Sequence, residues 1–291
     1  MLSEGVHSFL DLVSAGLAFF TVRTAGKPAD EDHPFGHGKF ETLSSLLESL
    51  LLLVAAGFIV AEGLEHLHHP QPVTHQWLAM GTILLSMVLS FVVYRHNLSA
   101  AKVTDSAALH VNALHFFADV MAGAAVLLGL IALRITGWLM IDPLMGFAVA
   151  AYIFVISTQQ VKNAILELLD TQLPEAEILE IRQILDSFVK SENAPEQTSR
   201  DLRQFKVIGA HDLRTRKSGA TRHVDFHLDV CGYLTVVESH AVCDEIENKI
   251  LAGFRGASVN IHVEPCEHER IGCHKTCEVY LNKIHSKELA K

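Results

Sequence analysis

The sequence predicts an α-helical membrane bundle with five visible spans, followed by a small α+β domain. Three observations lead there. Nearly half of the 291 residues are hydrophobic (49%) and the mean hydropathy is +0.28, high for a soluble chain of this length. The apolar residues are gathered in long blocks over roughly the first 160 positions, while the rest carries the ordinary mixture of charges. In that second part, apolar and polar residues alternate with the period of two that marks strands, between segments of helical period.

A bilayer core of roughly 30 Å takes about 20 apolar residues per helix. Five blocks meet that length: about Gly5–Arg23, Leu43–Glu65, Trp77–Tyr94, Ala107–Leu133 and Trp138–Val161. The first lacks the basic leader of a cleaved signal peptide. Basic residues orient the bundle. Arg23, Lys27 and Lys39 lie between spans one and two, Arg95 and Lys102 between three and four, and Lys162 after five. The other loops hold one basic residue between them, so the first set faces the cytoplasm, and the C-terminal part with it. Met1 then falls on the outer side with a span beginning almost at once, which leads us to expect that a preceding helix is absent from the sequence.

From about Pro174 the pattern runs helix, strand, strand, helix, strand. "PEAEILEIRQILDSFV" is an amphipathic helix. In "TRHVDFHLDVCG", Val224, Phe226, Leu228 and Val230 share one face and Asp225, His227 and Asp229 the other. "TVVESHAVCDEIENKILAGF" is the second helix, and "ASVNIHVEP" sets Val259, Ile261 and Val263 against His262 and Glu264. "KSENAPEQTSRDLRQ" is polar enough for a surface loop. The organisation is a transmembrane region over 1–165, a cytoplasmic domain over 166–265 and a Cys/His-containing tail over 266–291. Five cysteines, all in the C-terminal half, fit a reducing compartment better than a disulfide scaffold.

Ionisable groups inside lipid cost several kcal/mol and tend to face a bundle interior for a functional reason. "VHSFLDLVSAG" and "LHFFADVMAG" each place a histidine four residues before an aspartate within a span: His7 with Asp11, and His115 with Asp119. That spacing puts each pair on one helix face. One pair alone reads equally well as a helix-packing hydrogen bond. Two matched pairs offer two imidazoles and two carboxylates, a tetrahedral set suited to Zn²⁺. No H-E-x-x-H motif supplies hydrolytic chemistry and no P-loop couples ATP, so carriage rather than catalysis is expected. The formal net charge of −10 argues against nucleic acid as a partner.

"VHSFLD", "PADEDHPFGHGKFETL", "LHFFADV", "IDPL" and "GAHDLRTRKSG" together resemble the cation diffusion facilitator family, and within it the bacterial zinc and ferrous-iron efflux branch. The resemblance implies a six-span fold of which five spans are visible, a ferredoxin-like cytoplasmic domain, a homodimer, and metal/proton antiport at a bacterial inner membrane. It implies a transport site of His7, Asp11, His115 and Asp119. A histidine at position 7, where close bacterial relatives often carry aspartate, resembles the more zinc-selective members. A second site in the loop "ADEDHPFGHGK" is implied for Asp30, His33 and His37, around a turn marked by Pro34, Gly36 and Gly38. Lys39 and Asp170 resemble a charge pair near the dimer interface. His211, His227, His240 and His262 match cytoplasmic metal ligands. Glu264 stands where those relatives have the shorter aspartate.

The tail lies outside the resemblance. Cys266, His268, Cys273, His274 and Cys277 are enough donors for one tetrahedral Zn²⁺, although their spacing is not that of a standard finger. The expected function is proton-coupled efflux of a divalent cation, Zn²⁺ first and Fe²⁺, Cd²⁺, Co²⁺ or Mn²⁺ after it. A membrane metal sensor or scaffold that binds without transport would use the same ligands.

Overall fold

In the computed structural model, residues 2–68, 76–136, 140–189, 207–232, 234–254 and 256–265 are described, with the backbone alone for 2–11, 76–79, 133, 134 and 142. Five long helices come first: α1 (Leu2–Ala25), α2 (Lys39–His68), α3 (Gln76–Thr104), α4 (Ala107–Thr136) and α5 (Ile141–Leu168). α1 to α4 each contain one of the apolar blocks, and α5 takes up the fifth from Ile141 onward. Polar residues at the block edges extend the helices past the apolar core; Lys39–Thr42 and Arg95–Thr104 are helical although no lipid-length argument requires it. Four of them are long and apolar enough to cross a membrane, and the described part of α1, Leu12–Ala25, is a shorter apolar helix.

The helices pack as α2 on α5, α3 on α4 and α4 on α5, with α1 against α2 and α4. Small residues allow the close approaches: a side-chain carbon on Gly63 would stand 2.8 Å from the Phe147 ring, so α2 meets α5 through a glycine. The outer faces are apolar. Leu84, Leu85, Val88, Leu89 and Val92 of α3 are all exposed, the reverse of a soluble helix and the arrangement lipid favours. The first part of the α2 interior is instead polar, with Glu41, Thr42, Ser44, Ser45, Glu48 and Ser49 all buried, and Leu52, Ala55 and Ala56 continue it as an apolar face.

The rest of the chain forms a second unit, residues 170–217 and 221 onward, with the turn 218–220 grouped with the first. It contains α6 (Glu175–Asp186), β1 (Val207–Ser218), β2 (Thr221–Val230), α7 (Val236–Gly253) and β3 (Ser258–Pro265), the expected element order. The sheet order is β1-β2-β3, and β2 runs parallel to β3. β1 and β2 are joined by a tight turn at Gly219, whose φ of +60° suits a residue without a side chain. Val224, Phe226, Leu228 and Val230 are buried as their alternation requires, packed with Ile181 and Leu185 of α6 and Val242, Ile246 and Ile250 of α7. Val259 and Ile261 of β3 join that core, whereas Val263 at the strand's end is exposed. A capping box starts α7: Glu238 N donates to Thr235 Oγ1 at 3.3 Å and Thr235 N donates to Glu238 Oε2 at 2.8 Å. Cys231 and Cys243 are both free thiols. The loop 190–204 and the cysteines and histidines of the tail lie outside the described residues.

The core makes a specific demand on β2. Phe226→Ala is expected to destabilise the domain by about 3–5 kcal/mol, whereas Asp225→Ala on the polar face changes stability by less than about 0.5 kcal/mol; denaturant unfolding measures both.

Candidate metal centres

Three groups of ligands can be built upward from the elements that carry them. The first is the two His–Asp pairs, one carried by α1 and one by α4. His115 is 2% exposed and Asp119 half-buried, one turn further along the same face of α4. His7 and Asp11 stand one turn apart on α1, and their side chains lie outside the described residues. The relation between the two faces is nevertheless legible one turn away. Asn112 Nδ2 donates to Ser14 Oγ at 3.3 Å. Ser14 follows Asp11 by three residues and His7 by seven, while Asn112 precedes His115 by three and Asp119 by seven, so each lies on its pair's face. The hydrogen bond therefore joins the very faces that carry the His–Asp pairs.

The second group is the loop between α1 and α2. Asp30 Oδ1 accepts from the backbone N–H of His33 at 2.7 Å and lies 3.2 Å from His33 Nδ1, while Asp30 Oδ2 lies 3.3 Å from His37 Nε2. Gly36, with φ +82°, turns the chain and donates its N–H to His33 O at 2.9 Å, which brings His37 back over His33. The two imidazole rings are 4.4 Å apart. Asp30, His33 and His37 thus offer ligand atoms that all lie within 4.8 Å of one another, a spread that a divalent ion could draw together. His37 is buried, and its Nδ1 has no hydrogen-bond partner among the described residues. The His33 backbone donor holds the Asp30 carboxyl below the usual carboxylate range, helped by the two imidazoles.

The third group is on the sheet of the second unit. The register pairs His227 with His262 and Asp229 with Glu264 on β2 and β3, and His211 of β1 completes the cluster from the other side of β2. Glu264 is its hub: Oε1 lies 3.1 Å from His227 Nδ1 and 3.5 Å from His262 Nε2, and Oε2 lies 3.4 Å from His211 Nε2. The longer glutamate arm reaches all three histidines. His211 Nε2 is also 3.5 Å from Asp229 Oδ1, and His211, Asp229 and Glu264 form a compact ligand set, as do His211, Asp212 and His227. Imidazole with carboxylate suits Zn²⁺ and neighbouring first-row ions.

Two of these residues were not singled out from the sequence. Asp229 sits in register beside Glu264, a relation that depends on strand pairing. Asp212 follows His211 in a left-handed backbone conformation, φ +51°, which turns both side chains toward one region. His240 lies elsewhere in the protomer, on α7, 76% exposed and 3.7 Å from Asp244. Lys39 Nζ donates to the backbone oxygen of Leu168 at 3.5 Å, and Asp170 lies 3.6 Å from Arg216 Nη1. The tail donors Cys266, His268, Cys273, His274 and Cys277 are outside the described residues.

The chain is similar to known proteins over most of its length. A family model described as the cation efflux transmembrane domain matches residues 1–169, and one described as the cation efflux protein cytoplasmic domain matches residues 199–266. The cation-efflux pump FieF of Yersinia enterocolitica is 34% identical over 265 residues, covering 91% of this chain and 83% of the relative. That of Yersinia pestis is 32% identical over 266 residues with the same coverage. A zinc-form structure of CzrB is 35% identical and spans 35% of this chain and 97% of its own, with a TM-score of 0.28, too low a superposition to bear on the fold.

The clusters make separable predictions. Glu264→Ala should weaken Zn²⁺ binding at the sheet by on the order of a hundredfold, measured by calorimetry. Asp30→Asn should lower the Zn²⁺ affinity of the loop site by roughly tenfold or more at about pH 7, read by the same calorimetry; unchanged affinity would remove Asp30 from the ligand set.

Proposed function

The chain belongs to the cation diffusion facilitator family, integral membrane transporters of metal cations, and from that premise we propose that it exports a divalent cation, Zn²⁺ foremost, in exchange for protons. One observation supports the reading above the others: the Ser14–Asn112 hydrogen bond, which joins the faces of α1 and α4 that bear the two His–Asp pairs. In the inward-facing state His7, Asp11, His115 and Asp119, stripped of their protons, receive the cation as it sheds water. Rearrangement of the helices exposes the set to the other side. Proton uptake by the ligands there weakens their hold and releases the cation, since carboxylate and imidazole bind metal only when deprotonated. The bacterial inner membrane, with the sheet domain in the cytoplasm, is the location that fits the distribution of basic residues.

The loop and sheet clusters act as accessory sites in this reading. Asp30, His33 and His37 sit where the chain enters α2 and would take up cation at the cytoplasmic surface. His211, His227, His262 and Glu264, with Asp229 beside them, would hold cation in a domain whose family counterpart dimerises, and His240 would serve from the partner subunit of a homodimer. Cation bound there would favour the dimer through linkage.

Reconstituted vesicles test the proposal. A pH gradient should drive Zn²⁺ uptake, and His115→Ala or Asp119→Ala should each lower the rate by at least about a hundredfold. Stoichiometric Zn²⁺ binding with no flux in the unsubstituted protein would instead make it a sensor or scaffold. Flux that prefers Fe²⁺, Cd²⁺, Co²⁺ or Mn²⁺ over Zn²⁺ would reassign the cargo.

A further inference from the structure

One buried ionisable group in the bundle has no part in the ligand sets above. Glu48 lies deep within α2, in a helix long and apolar enough to cross a membrane, and is 0% exposed. Its Oε1 accepts a hydrogen bond from Ser44 Oγ at 3.0 Å, and Ser44 Oγ in turn accepts from Thr21 Oγ1 of α1 at 2.8 Å. Its Oε2 is buried with no hydrogen-bond partner among the described residues. The Asn112 side chain of α4 reaches the same carboxyl. That amide is itself held on both sides, donating to Ser14 and accepting from Asn97 Nδ2 of α3 at 2.8 Å.

The arrangement is directional. Glu41, Ser44 and Glu48 are spaced i, i+3, i+7 and so form one stripe along α2. The other stripe, Thr42, Ser45 and Ser49, is occupied otherwise: Thr42 donates to Glu167 Oε1 of α5 at 2.7 Å, and the two serines bond back to their own helix. The first stripe therefore runs from the Lys39 end of α2 to Asn112, one turn short of His115. Its three residues are buried; Ser44 links Glu48 to Thr21, while Glu41 Oε1 accepts from the backbone N–H of Ala108 at 3.4 Å. A proton can move along hydroxyls and a carboxyl that are already bonded to each other. Other titratable groups on the helices packed around this stretch include Lys39 and Glu41 on α2, His110, His115 and Asp119 on α4, Lys162 and Glu167 on α5 and Arg23 on α1, with His7 and Asp11 of the transport set.

We propose that Glu48 is the proton-carrying carboxyl on the cytoplasmic side of the transport set, exchanging protons with the cytoplasm through Ser44 and Thr21. The inference rests on the antiport reading above. When cation enters the transport set, a proton leaves a ligand and bonds to the Glu48 carboxylate. The carboxyl then passes a proton to Ser44 Oγ as the Ser44 hydroxyl turns from Glu48 and gives its own to Thr21 Oγ1, and Thr21, which is only partly buried, gives its own to water at that end of α1, so charge and hydrogen balance at every step. Glu48 touches no cation in this scheme; its work is to receive what the cation displaces.

Vesicles holding a pH indicator and a Zn²⁺ indicator, together with calorimetry of Zn²⁺ binding to the solubilised protein, test it. Glu48→Gln keeps the shape and can still accept from Ser44, but carries no exchangeable proton. It should slow pH-driven Zn²⁺ flux by roughly tenfold or more while Zn²⁺ affinity stays within about twofold, and Glu48→Asp should restore most of the flux. Flux in Glu48→Gln within twofold of the unsubstituted protein would overturn the inference and leave antiport standing. So would a joint loss of flux and Zn²⁺ affinity, which would make Glu48 a packing residue. If the unsubstituted protein moves Zn²⁺ without counter-moving protons, antiport itself fails and Glu48 loses its role with it.

Discussion

The membrane half depends on the expense of placing hydrogen-bonding and ionisable groups among helices that face lipid. Every such group must find a partner inside the bundle or draw one in. α2 shows how the constraint is met. Its outward residues, among them Leu43, Leu47, Leu50 and Val54, are apolar and exposed, while its buried residues between Glu41 and Ser49 are serines, a threonine and two glutamates. Thr42 bonds to α5, Ser45 and Ser49 to their own helix, and Ser44 and Glu48 to each other and toward α1 and α4. The polar groups thereby fix which helix sits beside which. A bond of the same kind joins α1 to α4, between Ser14 and Asn112, each one turn from its helix's His–Asp pair.

The sheet domain meets the opposite constraint. Here water solvates one face of β2 and the core takes the other, so alternation separates a packing set from a chemical set. Val224, Phe226, Leu228 and Val230 hold the strand to α6 and α7, and that rigid backing positions His227 and Asp229 on the far side. Parallel pairing with β3 then sets His227 against His262 and Asp229 against Glu264. A one-residue slip would bury the ligands and expose the core. The cluster of histidines and carboxylates is consequently as well specified as the hydrophobic core, because one register determines both.

Much of this was readable from residues. The long helices, the element order of the second half and the buried face of β2 all follow from apolar spacing, because lipid and core burial are non-directional and act on residue type alone. Of the histidine-bearing sets, spacing alone picked out the i, i+4 pairs; the loop and sheet histidines were expected from the family resemblance, since their spacing along the chain fits scattered surface histidines equally well. Less visible were contacts made by neutral polar residues. "ETLSSLLES" contains the i, i+3, i+7 stripe that ends at Glu48, but serines at that spacing are equally at home bonding their own helix, as Ser45 and Ser49 do. The stripe becomes meaningful only once α1 and α4 are known to lie against it.

The sequence by itself determined which segments are helices and strands, which faces are apolar and which residues carry ligand chemistry, because those properties depend on local composition and period. Tertiary structure alone decided which ligands share a site. It brought Asp229 beside Glu264 through strand register and set His240 apart on α7 beside Asp244. It also made Glu264, through reach rather than residue class, the carboxylate common to three histidines. Coordination and hydrogen bonding act over about 2–3.5 Å with fixed directions, so they are settled by the placement of separate elements and not by the order of residues along one.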